Sequence, residues 1–73
     1  MEKLELIIDL VALQFYPKEW REGQAMFNLC SIAFVEQVEK LRGTEYDCFH
    51  NNQKIPDFIV KLRNIIENES NIS

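Results

Sequence analysis

Turn formers are scarce: the 73-residue chain holds two glycines and two prolines, too few for the many tight turns of a β-sandwich or barrel. Two cysteines and one histidine supply neither a disulfide framework nor the paired spacings of a structural zinc site. Basic residues are outnumbered, eight against twelve acids, for a net charge of −4. That balance gives no electrostatic footprint for nucleic acid or an anionic membrane. No positive segment precedes the first apolar run. From Leu4 to Tyr16 that run includes Glu5 and Asp9 and falls short of the roughly 20 residues needed to span a bilayer. Gly23 and Gly43 stand too far apart to form a phosphate loop. These absences predict a soluble cytoplasmic protein, with cysteines kept as thiols, no membrane contact and no cofactor.

What the chain does hold is apolar mass. Hydrophobic residues make up 47% of it, which is too rich for disorder. Leu4, Ile7, Ile8, Val11 and Phe15 follow helical spacing, with Leu6, Leu10 and Leu13 as a second apolar row beside them. This predicts a helix over 2–16, stopped by Pro17. Only Glu2, Glu5 and Asp9 mark a polar stripe, so the helix needs cover on two sides.

A second segment runs from Trp20 toward Leu41. Met26, Phe27, Cys30, Ala33, Phe34, Val38 and Leu41 share one face, and Gly43 suits the position just past the helix end. Its polar sector moves from Arg21, Gln24, Asn28 and Ser31 to Glu36, Glu39 and Lys40. A straight helix does not shift its wet face like that, so a break is expected between Ser31 and Val35. After a polar loop, Pro56 at the first helical position opens a third segment, where Ile55, Phe58, Ile59, Leu62, Ile65 and Ile66 form one stripe. The expected fold is all-α, a small bundle of three or four helices. One domain is expected over 1–68, with a frayed tail over 69–73.

A domain this small buries only about 60% of the surface its unfolded chain exposes. The apolar surplus therefore predicts self-association, with a homodimer favoured and Leu6, Leu10 and Leu13 at the contact.

Few residues point to chemistry. Cys30 lies on an apolar face, where cysteine behaves as a small hydrophobe. Cys48 and His50 sit in the loop without an orienting third group, so neither a metal site nor a catalytic site is expected. The Arg21, Gln24 and Asn28 face has the residue types that read base edges. Glu19 and Glu22 flank it in place of phosphate-binding cations, which makes nucleic-acid binding by a small dimeric regulator the lesser expectation. With Glu36 and Glu39, this face is a candidate partner-binding surface. Arg42, Gly43, Thr44, Asp47 and Phe49 are expected to organise the loop. Gly43 leaves the helix at positive φ, Thr44 satisfies a backbone donor, Asp47 pairs with Arg42 and Phe49 anchors the loop.

Two blocks, Arg21-x-Gly23-Gln24-x-x-Phe27-Asn28 and Leu41-Arg42-Gly43-Thr44-x-x-Asp47-x-Phe49, are followed by Ile55-Pro56-x-Phe58. Together they resemble a family of small bacterial and phage proteins without a known activity. The resemblance spans residues 20–58 and implies a phage or prophage setting, where short acidic proteins act by binding other proteins. The functional expectation is a non-enzymatic module that inhibits or modulates a larger host protein, such as a defence complex, by stoichiometric binding.

Overall fold

The computed structural model describes the backbone of Glu2–Ile72 and the side chains of residues 2–69. It is all-α: α1 (Glu2–Ala12), α2 (Glu22–Ala33), α3 (Val35–Glu39) and α4 (Ile55–Ile72), with a 3₁₀ turn at Asn52–Lys54 leading into α4. No strand occurs among the described residues. The molecule measures 39 × 25 × 18 Å. Since a helix with its side chains is about 10–12 Å across, the thin dimension admits two helical layers and no more. On α1 the Leu4, Ile7 and Val11 side is buried while Leu6 on the other side is exposed.

The core joins Leu4, Ile7 and Val11 of α1 to Ala25, Met26, Phe27 and Cys30 of α2, Val38 of α3, and Phe58 and Leu62 of α4. Leu41 and Cys48 complete it from the connecting segments. These are the helical stripes seen in the sequence. Val60, off the α4 stripe, is exposed.

α1 is shorter than its apolar pattern. Pro17 does not stop it; the chain leaves the helix four residues earlier through its own backbone. The Phe15 amide donates to the Leu10 carbonyl at 2.9 Å and the Gln14 amide to Val11 at 3.0 Å, while Gln14 takes φ 59°. This is the left-handed closure usually given to glycine. It turns Phe15, expected in the core row, out to 74% exposure.

The expected break falls at Phe34, with φ −134° and ψ 63°. Its amide closes α2 on the Cys30 carbonyl at 2.8 Å, and its carbonyl accepts from Val38 at 2.9 Å to open α3. The rotation lets Cys30 and Val38 enter one core although the wet face shifts between them.

At the far end α4 continues to Ile72. Glu69, placed by the sequence in a frayed tail, instead accepts from Gln37 at 2.7 Å and Lys40 at 3.1 Å. Those two bonds hold its carboxyl below the usual range, the Gln37 bond contributing most. Beyond Glu69, the side chains of the expected tail lie outside the described residues.

Candidate interaction surface

The loop after α3 is built by short-range polar bonds. Gly43 takes φ 75°, a conformation that costs glycine little. The Asp47 carboxylate then accepts from two backbone amides, Gly43 at 2.8 Å and Phe49 at 2.9 Å. Thr44 donates its hydroxyl to the Leu41 carbonyl at 2.7 Å and accepts from the Tyr46 amide at 3.2 Å. The Gly43, Thr44 and Asp47 positions thus organise the loop, but the expected Arg42–Asp47 pair does not form. Arg42 bonds Glu39 at 2.8 Å, and its guanidinium lies 4.9 Å from the centre of the Phe27 ring. The reason is local: Asp47 spends both oxygens on backbone amides, and Glu39 is the nearer acid along the same turn.

Phe49 meets Phe27 edge-on, with ring centres 5.8 Å apart, and Phe27 packs against Phe58 at 5.7 Å. Phe49 is only half-buried. The deeper anchor is Cys48, which is fully buried and donates its thiol to the Gly23 carbonyl at 3.4 Å. Burial, with the Asp47 charge behind it, pushes the Cys48 thiol from 9.0 up to about 12; burial, with Cys48 behind it, does the same for Cys30. At neutral pH both are thiols in an apolar surrounding, which are poor nucleophiles and poor metal ligands. His50 stands apart from Cys48 in character: it is exposed, and its Nδ1 faces the Arg21 guanidinium at 3.5 Å. Among the described residues no group of histidine, cysteine or carboxylate side chains converges as a metal site would.

The loop also caps α2. Arg21, at the cap position, makes no side-chain bond to the helix. The Gly23 amide is instead satisfied by the Asn52 side-chain oxygen at 2.7 Å, from 29 residues away. Nothing local in the sequence signals that bond. Gln24 and Asn28 are half-buried on the same helix, and Ser31 turns its hydroxyl inward without a hydrogen-bond partner among the described residues. Arg21, Glu36 and Glu39 are exposed, Glu39 in its pair with Arg42. Of the residues in the two sequence blocks, Arg21, Gly23, Phe27 and Phe49 join the loop to α2, while Gly43, Thr44 and Asp47 bond within the loop.

Apolar side chains in water lie elsewhere. Leu6 is 59% exposed on the outer side of α1 and Leu13, the first residue past its end, 76% exposed, with Leu10 half-buried between them. Phe15 continues this exposure into the following turn, where Gln14, Phe15, Tyr16 and Pro17 line an open cavity of about 480 Å³. Ile32, Val35 and Val60 are the other large exposed apolar side chains. Among the described residues no helix is long and apolar enough to cross a membrane.

No protein-family model, curated protein or solved structure matches the chain. The functional reading therefore rests on the molecule's own surface.

Proposed function

We propose that this chain is a non-enzymatic protein-binding module that acts in the cytoplasm by stoichiometric contact with a larger protein. Its concrete form is a phage or prophage protein that inhibits or modulates a host protein such as a defence complex. The observation that carries the reading is the outer row of α1 and its end: Leu6 and Leu13 lie in water while Leu4, Ile7 and Val11 on the other side of the helix are buried. Leaving such a row wet forgoes about 1.5–3 kcal/mol for each large aliphatic side chain, a sacrifice that a partner's surface recovers.

The experiment compares the wild-type chain with Leu13→Asp as bait in host lysate. Both should fold alike by circular dichroism, because Leu13 makes little contact with the core. A protein retained by the wild type and lost with Leu13→Asp is the expected result. Identical retention by both baits refutes the assignment of this face.

A further inference from the structure

Leu6 and Leu10 of α1 and Leu13 just past its end are spaced i, i+4, i+7. The Leu13 amide still donates to the Asp9 carbonyl at 3.0 Å, so the helical register extends to it. The three cover about 60° of one side, the width of a seam that takes one facing helix. Their two edges differ. On one side run Glu2, Asp9 and Glu5; on the other side the surface turns inward at Ile7 and Val11, with Lys3 between. Glu5 is held by Arg63 of α4 at 2.7 Å. Among the described residues Glu2 and Asp9 make no ion pair, and the last turn of α1 contains no cation. The apolar seam is therefore bordered by unneutralised carboxylates along its open edge.

A second copy fits this border badly. Paired antiparallel about Leu10, two α1 helices set Asp9 beside its own counterpart and bring acidic edge against acidic edge. Paired parallel, the acidic edge meets the side that turns into the core; Lys3 offsets Glu2 there, but beside Asp9 that side holds only the buried Ile7 and Val11 and no cation. Like charges across an interface cost stability, and opposite ones steer the partner in.

We propose that the outer face of α1 receives an amphipathic helix of another protein, whose apolar stripe is edged by lysine or arginine. This rests on the reading of the chain as a protein-binding module and supplies the chemistry of its partner. The leucines give the contact area, while Glu2 and Asp9 choose the helix and set its orientation.

Two synthetic helical peptides of about 18 residues, five turns, test it: both carry the same leucine stripe, one edged by lysine and arginine, the other by glutamate. Fluorescence anisotropy against the full chain should show the basic peptide binding at least about tenfold tighter than the acidic one, a difference of about 1.4 kcal/mol. Raising the salt from about 50 to about 300 mM should weaken it, because the carboxylates are exposed to screening. Asp9→Lys should narrow or reverse the preference, and Leu13→Asp should abolish binding of both peptides.

Equal binding of the two peptides, lost in Leu13→Asp, overturns the charge selection and leaves the binding face standing. Binding that survives Leu13→Asp overturns the face itself. If neither peptide binds and sedimentation shows a dimer that Leu13→Asp dissociates, the occupant is a second copy and the proposal is wrong. Absence of both peptide binding and self-association overturns the helix proposal, while the module reading beneath it stands or falls separately on retention of a lysate protein by the wild type and its loss with Leu13→Asp.

Discussion

The Cys48 thiol reaches back 25 residues to donate to the Gly23 carbonyl at 3.4 Å. The Cys48 carbonyl lies so close on the other side that a Cβ built on Gly23 overlaps it. Loop and helix touch backbone to backbone here, which leaves no room for a side chain at Gly23, inside a helix where no turn occurs.

Gly23→Ala tests the contact. Alanine favours the helix by about 1 kcal/mol on propensity alone, so a naive reading expects a gain. The overlap is with backbone, which cannot rotate away, and overpacking of this kind costs about 1–3 kcal/mol or more. The expected result is net destabilisation, read as a lower urea midpoint. A midpoint at or above the wild-type value refutes the close approach.

Asp47 and Phe49 should matter about equally, although the sequence singles out Phe49 as the anchor and gives Asp47 only a pair with Arg42. Truncating a fully buried phenylalanine costs about 3–5 kcal/mol, but Phe49 is half-buried and should lose about half of that. Asp47→Ala removes the acceptor of two backbone amides, worth about 1–3 kcal/mol together at this exposure. Asp47→Asn keeps one oxygen and should fall between Asp47→Ala and wild type. Thermal melts of the three variants order them; an Asp47→Ala melt indistinguishable from wild type contradicts the bonding scheme.

Gln14→Gly should stabilise. A side chain at left-handed φ costs about 1–2 kcal/mol, and glycine returns part of that to the entropy of the unfolded chain. A net gain of about 0.5–1 kcal/mol is expected, about 2–8 °C in a domain of this size. An unchanged or lower midpoint means that the turn does not close in the left-handed form.

The two buried thiols predict an alkaline limit. Each is pushed from 9.0 up to about 12 in the folded chain, chiefly by burial. The unfolded chain releases these protons first, so their contribution to stability is constant below about pH 9 and falls as pH climbs toward 12. Melts recorded between about pH 7 and 11 should decline steeply at the top of the range. Cys30→Ala removes one of the two groups, so its decline should be shallower than the wild-type one. Parallel curves rule out the thiols as the cause.

The sequence by itself determined the helices and most of their buried sides. The α4 stripe, the Cys30–Val38–Leu41 face and the break near residue 34 follow from periodicity, because a helix must turn its apolar residues one way and each residue advances the face by a known angle. Gly43 was legible for the same kind of reason: a left-handed helix exit is a local backbone matter. Only the tertiary structure decided what the loop does with its polar groups. Asp47 prefers two backbone amides to Arg42, Asn52 caps a helix 29 residues away, and Cys48 exchanges an exposed loop position for the core. These choices depend on which groups meet in space, and sequence spacing does not encode that. The end of α1 belongs to the same class. Gln14 gives no sign of taking a glycine's conformation, yet that one backbone angle turns Phe15 outward and sets the boundary of the surface on which the functional proposal stands.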